Sequence, residues 1–359
     1  MDSRSSPKPN AERPGRDTAL RQLLRPLAPF LAQCNVTELA INRPGELWTR
    51  TFTGWDAHEV PELSGDHLHA LATAMAVYGG LSLGGLVSVV LPDGERGQIV
   101  RPPGCIEGLS PFTIRKHMPV VRTLPELEQE GVFRSVRDVS FNLPSAEEAR
   151  REGERHDERR LEAFEVGLLA LKRDGAMVEF LRRAVAHRRN IVIAGRTGSG
   201  KTTLARSIVE EVPRSERIVT IEDVHELVLP HHPNRVHLMY GEGEGRVTAS
   251  ACLAACMRLS PDRIFLAELR GPEAWEYVMG LNTGHPGSIS TTHANGAVHA
   301  FARIESLIAN SEVGRGLDTA DVRQVLKKTL DVVLFMEERR VTELWYDPIH
   351  ARQSARGEG

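Results

Sequence analysis

The sequence has 359 residues, of which 41% are hydrophobic and 26% are charged, and its formal net charge is −3. This length is typical of about two globular domains of roughly 150 residues each, and the near-neutral charge argues against a broadly basic surface that grips nucleic acid. The four cysteines form no C-x-x-C pair, a usage typical of a reduced, cytosolic protein.

The predicted elements begin after a polar N-terminal segment. Residues 1–16 are rich in proline, serine and arginine and contain no apolar signal-peptide core, so we expect a disordered tail. Residues 17–146 carry short strand and helix signals separated by turns, such as strand 38–41 before Arg-Pro-Gly and strand 97–100 before Pro-Pro-Gly. This pattern predicts an N-terminal α+β domain.

One uncharged segment in this domain is long enough to cross a bilayer. Residues 70–91 contain no Asp, Glu, Lys or Arg, which meets the length criterion for a membrane helix. Two glycine pairs, at 79–80 and 84–85, interrupt the segment. We therefore interpret it as the end of a buried helix, a glycine turn and a strand over residues 86–90, and we expect a soluble protein.

The middle of the chain changes in composition. Residues 147–160 alternate between glutamate and arginine, a pattern typical of a solvated helix face or a linker, and we place a linker at 147–165. From 166 to 350 strand and helix patterns alternate, which predicts a largely parallel sheet covered on both faces; residues 351–359 are expected to be a disordered tail. The predicted strands are 190–194, 217–221, 236–240, 263–267, 287–292 and 332–336; the predicted helices are 201–211, 247–259, 272–281, 298–308 and 319–330.

A glycine-rich segment of the second half fits the phosphate-binding pattern G-x-x-x-x-G-K-[ST]. It follows an apolar strand and opens a helix, so its backbone N–H groups and the helix N-terminus can hold phosphates. In this pattern Lys201 approaches the β- and γ-phosphates, and the Thr202 hydroxyl is a ligand of Mg²⁺. The nucleotide-binding residues predicted in this way are Gly195, Arg196, Thr197, Gly198, Ser199, Gly200, Lys201, Thr202 and Thr203.

Two further apolar strands end in carboxylates. Residues 217–221 run into Glu222 and Asp223, and residues 263–267 run into Glu268. The carboxyl ends of parallel strands form the ligand edge of an open sheet, although acids at strand ends can also cap helices. At that edge either glutamate can orient and deprotonate the attacking water, and Asp223 can hold the water shell of Mg²⁺.

A histidine pair frames another predicted strand. His285 precedes residues 287–292 and His293 follows them. A lone histidine is more often structural, but His293 falls at the carboxyl end of a strand in the same sheet. That position suits a sensor of the γ-phosphate.

Taken together, residues 195–202, 217–223, 263–270 and 284–295 resemble the Walker A, Asp box, Walker B and His box of the secretion traffic ATPases. Within that superfamily the N-terminal half and the chain end resemble the VirB-type branch of type IV secretion and conjugative transfer. The resemblance extends over about residues 20–348. The segments that carry it are 41–46 (INRPGE), 91–96 (LPDGER), 98–103 (QIVRPP), 113–116 (TIRK) and 343–348 (ELWYDP).

This resemblance implies an α/β fold, with a RecA-like P-loop ATPase domain and a smaller α+β N-terminal domain. It also implies ATP and Mg²⁺ as cofactors and a homo-hexamer at the cytoplasmic face of the bacterial inner membrane, associated through inner-membrane components of a secretion or conjugation machine. Each nucleotide is then held between the two domains of a subunit, where Arg96 and Arg115 match the arginines that reach the γ-phosphate. Ala267 stands where many Walker B strands carry an aspartate, which leaves Mg²⁺ to Thr202, waters and Glu222 or Asp223.

Other functions remain open at this stage. The four boxes are shared with ATPases of pilus assembly, pilus retraction and type II secretion, so such an ATPase remains the alternative to the VirB-type branch. A DNA translocase shares the P-loop core, but the charge balance does not predict direct, sequence-specific binding of nucleic acid. Glu268 argues against a module that binds nucleotide without hydrolysing it. The spacing of His225, His231, His232 and His237 matches no zinc-ligand pattern.

Overall fold

The computed structural model describes residues 17–51, 53–116, 121–241 and 247–354. The chain forms two compact units, which divide between residues 119 and 120. The predicted tail at 1–16 lies outside the described residues. The first unit contains helices α1 (Thr18–Leu23), α2 (Ala28–Leu31) and α3 (Gly65–Tyr78) and strands β1 (Glu38–Ile41), β2 (Glu46–Arg50), β3 (Trp55–Glu59), β4 (Leu86–Val90), β5 (Arg96–Val100) and β6 (Phe112–Arg115).

The first unit is built on an antiparallel sheet with the strand order β3-β2-β1-β6-β5-β4. Alternate residues are buried in every strand except the edge strand β3, as Leu39 and Ile41 are in β1. The buried apolar residues pack with the apolar face of α3. This arrangement is the predicted α+β domain. The uncharged segment 70–91 is the end of α3, a glycine turn and β4, which confirms its interpretation. Within the described ranges, no helix has the length and apolar character needed to cross a membrane.

The second unit is built on a larger sheet with the order β10-β9-β11-β12-β8-β13-β14-β7. Its strands are β7 (Arg137–Asp138), β8 (Ile191–Gly195), β9 (Ile218–Glu222), β10 (Arg235–Met239), β11 (Arg263–Leu269), β12 (Ile289–Thr292), β13 (Val332–Glu337) and β14 (Arg340–Trp345). Its helices are α4 (Leu124–Gln129), α5 (Ala146–Gly153), α6 (Ala163–Arg173), α7 (Met177–Ala186), α8 (Lys201–Val209), α9 (Ala249–Cys256), α10 (Ala274–Asn282), α11 (Ala297–Ala309), α12 (Thr319–Thr329) and α13 (Pro348–Ser354).

In sheet order, each neighbouring pair from β10 to β13 is parallel, and β14 pairs in parallel with β7. Among the described residues, β13 and β14 are the one antiparallel pair of this sheet. Both faces of the central strands are covered by helices. Ile191 and Ile193 of β8 belong to one apolar cluster, while Val192 and Ala194 belong to the other. Burial on both faces explains why these strands are continuously apolar rather than alternating, and the predicted parallel α/β fold is confirmed.

The structure divides the chain earlier than the linker predicted at 147–165. Leu124, Leu127 and Val132 already pack in the core of the second unit. The run of alternating charges forms the helix α5, which begins with a capping box of Ser145 and Glu148. Its charges form ion pairs four residues apart along a solvated face. The change to alternating glutamate and arginine at residues 147–160 therefore marks a surface helix rather than the division between the two units.

The predicted C-terminal tail also begins too early, because residues 351–354 continue the helix α13. Two hydrogen bonds fix the start of this helix: Asp347 accepts from the backbone N–H groups of His350 and Ala351, through its side chain and its carbonyl respectively. Arg352 reaches Glu165 with two hydrogen bonds of 2.8 and 2.6 Å. The remaining residues of the predicted tail, 355–359, lie outside the described residues.

Candidate active site

The glycine-rich segment forms the turn between β8 and α8. All five residues of β8 are buried, so the strand holds the start of the turn firmly in the sheet. Gly195 has a φ of 156°, and a Cβ at this position would lie 2.5 Å from the Met336 carbonyl oxygen and 2.6 Å from Ser199 Oγ. Gly200 precedes α8 in the left-handed conformation, with a φ of 99°. Side chains at these positions would clash or strain the turn.

The turn closes around its own lysine. Lys201 is 8% exposed, and its Nζ donates hydrogen bonds to the carbonyl oxygens of Gly195 (2.9 Å) and Arg196 (3.0 Å). Ser199 is buried, and its hydroxyl has no hydrogen-bond partner among the described residues. Thr202 is half-buried in the first turn of α8, whereas residues 196–198 and 203 are exposed.

These features fit a phosphate group. A glycine cradle that excludes side chains, a buried ammonium and a spare hydroxyl all lie at the N-terminus of a helix, whose dipole favours anions. The Thr202 hydroxyl is a hard oxygen ligand of the kind that Mg²⁺ prefers. The donor set therefore suits a Mg²⁺-bound phosphate chain, and the residues that would hold it are those of 195–203.

Strand order brings the other predicted boxes to this edge of the sheet. The neighbours β9, β11, β12 and β8 are parallel, so their carboxyl ends lie side by side. Asp223 follows β9, Glu268 lies near the end of β11, His293 follows β12 and the phosphate turn follows β8. This arrangement is the one that binds ligands in open α/β sheets.

Glu268 is the centre of a small charged cluster. Its side chain is 12% exposed, its Oε2 accepts a hydrogen bond of 2.7 Å from Arg270 Nη2, and its Oε1 lies 3.0 Å from His293 Nε2. The other end of the guanidinium, Arg270 Nη1, donates to Asp223 Oδ2 at 2.7 Å. Arg270 thus joins the acid after β9 to the acid of β11.

The charges in this cluster set its protonation states. Burial by itself would raise the pKa of Glu268, but the hydrogen bond and charge of Arg270, together with the charge of Lys201, hold this pKa below its ordinary value. Burial and the nearby Lys201 lower the pKa of His293. Near neutral pH Glu268 is therefore an ionised carboxylate and His293 a neutral imidazole.

Glu222 is held apart from this cluster. It is fully buried, and its Oε2 accepts from the backbone N–H groups of Glu226 and Leu227, both at 2.7 Å. Its Oε1 accepts from Thr220 Oγ1 at 2.7 Å and lies 3.2 Å from His225 Nδ1. Burial opposes ionisation, but these donors outweigh it and hold the pKa of Glu222 well below its ordinary value. The carboxylate is thereby tied to its own loop and strand.

Comparison with known proteins identifies the family. The family model described as "Type II/IV secretion system protein" matches residues 154–341. The type IV secretion system protein VirB11 of Brucella suis is 40% identical over 340 residues, which is 90% of this chain and 89% of that protein. The chain belongs to the secretion ATPase family. PtlH of Bordetella pertussis, another type IV secretion system protein, is 38% identical over 351 residues, 94% of this chain and 98% of its own.

Solved structures agree with this assignment. The structure of the VirB11 ATPase from the Brucella suis type IV secretion system, in complex with sulphate, has a TM-score of 0.52 and 39% identity, and it covers 95% of this chain and 98% of its own. The pilus retraction motor PilT with bound ADP has a TM-score of 0.55 at 18% identity, over 87% of this chain and 77% of its own. The PilT likeness shows the fold alone. The RecA-like P-loop architecture predicted for this secretion ATPase is therefore confirmed.

In this secretion ATPase the two predicted arginines lie together in the first unit. Arg96 of β5 and Arg115 of β6 are directly opposite each other in the antiparallel ladder. Side chains directly opposite on such a ladder share one face of the sheet, and like charges in that position cost stability.

Sequence reasoning missed Arg270. It is the last residue of the segment 263–270 that resembles Walker B, but the sequence alone assigns it no role. The available signal was a cation two residues after a strand-end glutamate, which can fold back onto that carboxylate. Its second partner, Asp223, is 47 residues away in the chain, and no local pattern links the two.

Proposed function

We propose that this chain is a Mg²⁺-dependent ATP hydrolase that works as a homo-hexameric motor for type IV secretion or conjugative transfer of macromolecules. The observation that carries the proposal is the convergence of Glu268 and His293 beside the buried Lys201 at one edge of the sheet. Family membership supports the assignment to a secretion machine, and the phosphate cradle supports a nucleotide as the substrate. The motor sits at the cytoplasmic face of the inner membrane through other components of its machine.

Within this proposal Lys201 and the N–H groups of the turn bind the phosphates, and Lys201 stabilises the charge that develops during phosphoryl transfer. Thr202 and, through water, Asp223 would hold Mg²⁺, which neutralises charge on the β- and γ-phosphates. His293 lies within reach of Glu268, and we assign to it the role of sensing whether a γ-phosphate is bound at this edge of the sheet. Arg270 positions both Glu268 and Asp223.

We assign the activation of the attacking water to Glu268 rather than to Glu222. Glu268 is ionised, lies next to His293, and has one carboxylate oxygen, Oε1, that accepts no hydrogen bond from the described residues. Both oxygens of Glu222 are taken up by hydrogen bonds to its own strand and loop. A general base must reach the proton that it removes, and such a tethered carboxylate is a poor choice. Glu222 therefore shapes the loop that carries Asp223.

The opposed arginine pair extends the proposal. We propose, on the family resemblance, that Arg96 and Arg115 bind the γ-phosphate. Arg96→Ala and Arg115→Ala should each slow ATP hydrolysis by about 10-fold or more, since a hydrogen bond to a charged group contributes about 1.5–3 kcal/mol. Each should also weaken binding of a non-hydrolysable ATP analogue more than binding of ADP, because only the analogue has a γ-phosphate. Phosphate release and nucleotide titrations measure both effects.

The matched control for this pair is Arg25→Ala. Arg25 is an exposed arginine between α1 and α2 in the same unit, outside the sheet, so its loss removes the same charge without changing a residue that stands opposite the pair. It should hydrolyse ATP at the rate of the unmodified protein. The assignment would be contradicted if the ratio of the affinities for the ATP analogue and for ADP were the same in the Arg96 and Arg115 variants as in the control variant.

The motor function is tested in the cell. A deletion strain should lose the protein export or plasmid transfer that its secretion machine performs, and the intact gene should restore it, whereas the Lys201→Ala gene should not. Light scattering of the purified protein with Mg²⁺ and an ATP analogue should give the mass of six chains of 39.7 kDa. Loss of twitching with unchanged export and plasmid transfer would replace the proposal with a pilus motor.

A further inference from the structure

Three possible metal ligands meet at the end of β9. Glu222 Oε1 lies 3.2 Å from His225 Nδ1 and 3.4 Å from His237 Nδ1, and the three ligand atoms all lie within 4.8 Å of one another. The two imidazole rings are edge to face with centroids 4.3 Å apart. We propose that Glu222, His225 and His237 bind a divalent transition metal of the zinc class, at a site separate from the Mg²⁺ of the nucleotide.

The spacing matches the coordination geometry of zinc. With Zn–N and Zn–O distances near 2.0–2.2 Å, the edge of a tetrahedron of ligands is about 3.4 Å. The distances from Glu222 Oε1 to the two histidine nitrogens, 3.2 and 3.4 Å, are close to this value. An ion bound here would replace the hydrogen bonds that the Thr220 hydroxyl makes with Glu222 Oε1 and His237 Nδ1. Two imidazoles and one carboxylate suit zinc, cobalt or nickel and are a poor set for Mg²⁺, which prefers oxygen ligands.

The surroundings hold the ligands in place and leave an entry path. The second oxygen of Glu222 accepts two backbone N–H groups, which orients the carboxylate with Oε1 toward the histidines. His237 is fixed on β10, where it pairs with Thr220 of β9 in the ladder. The Glu222 side chain is fully buried, whereas His237 is 22% and His225 is 43% exposed. Solvent can therefore reach the fourth coordination position from the side of His225.

The position of this cluster connects it to the hydrolytic centre. Glu222 is followed directly by Asp223, which is bound to Arg270, and Arg270 is bound to Glu268. A metal bound to Glu222 and His225 would clamp the start of the loop that carries Asp223. Metal binding would also stabilise the folded protein against heat, because the unfolded chain lacks the assembled site.

The experiment is a calorimetric titration of the tag-free, full-length protein with Zn²⁺ in the presence of excess Mg²⁺. We expect one high-affinity equivalent, a raised melting temperature, and visible absorption bands of tetrahedral type when Co²⁺ replaces Zn²⁺. His225→Ala and His237→Ala should each weaken this binding by about 100-fold or more, since even partners outside the coordination shell are worth about 10- to 100-fold.

His231→Ala is the matched control. His231 is a neighbouring exposed histidine whose Nδ1 lies 2.6 Å from Glu210, outside the cluster. This variant should bind Zn²⁺ as the unmodified protein does. Circular dichroism of every variant shows whether it is folded. The proposal is overturned if the unmodified protein does not bind one equivalent of Zn²⁺ saturably. It is also overturned if the His225→Ala and His237→Ala variants are folded and bind Zn²⁺ as tightly as the His231→Ala variant.

Discussion

Lys201→Ala should abolish ATP hydrolysis, and we expect this to be the largest effect of any single substitution. Lys201 is the buried ammonium of the phosphate turn, and its charge also acts on Glu268 and His293. Removing a single donor that stabilises developing charge costs about 10²–10³-fold in turnover. Here the substitution removes a full positive charge as well as two hydrogen bonds that close the turn. Phosphate release with Mg²⁺ and ATP measures the loss.

The control for this prediction is Lys328→Ala. Lys328 is an exposed lysine on α12, so its loss changes the net charge by the same amount. We expect hydrolysis by this variant to match the unmodified protein. Melting temperatures of both variants separate a lost charge from a lost fold. Turnover by a folded Lys201→Ala protein within a few-fold of the unmodified rate would show that the phosphate turn does not carry the reaction.

Glu268→Gln should lower turnover by about 10²-fold or more while nucleotide affinity changes only a few-fold. Loss of a general base typically costs about 10²–10⁴-fold. Glutamine has the shape of glutamate and its amide oxygen can still accept from Arg270, so the architecture of the cluster is kept. The amide nitrogen cannot take a proton from water. Steady-state rates and equilibrium binding of a fluorescent ATP analogue measure the two quantities independently.

Two companion variants sharpen this second prediction. Glu222→Gln should mainly lower the melting temperature, because backbone N–H groups and other donors surround its carboxylate and an amide N–H would face some of them. His293→Ala should slow hydrolysis with little change in melting temperature, since His293 is half-exposed. Normal hydrolysis by Glu268→Gln would transfer the role of base to Glu222. An unchanged rate with a lowered melting temperature would make His293 structural.

Much of the nucleotide site could be predicted because its parts are local. A strand, a glycine turn and a helix within residues 191–209 are encoded by apolar runs, by glycines at strained positions and by a Gly-Lys-Thr helix start. The strand-end positions of Glu222, Glu268 and His293 were readable for the same reason. Each depends only on where its own strand stops, and the parallel sheet then brings the strand ends to one edge.

The tertiary structure decided what those residues do. The strand order β10-β9-β11 places Asp223 against Arg270 and His237 against Glu222, and nothing in the separate segments specifies that order. It separates the two candidate bases, one tethered to its loop and one beside the phosphate turn. It also brings together His225 and His237, two of the four histidines whose spacing in the sequence matches no zinc-ligand pattern. The sequence by itself determined the elements and the phosphate turn, because backbone conformation is set over a few residues. Only the packed sheet determined the charge contacts, because those depend on residues far apart in the chain, such as Asp223 and Arg270, which are separated by 47 positions.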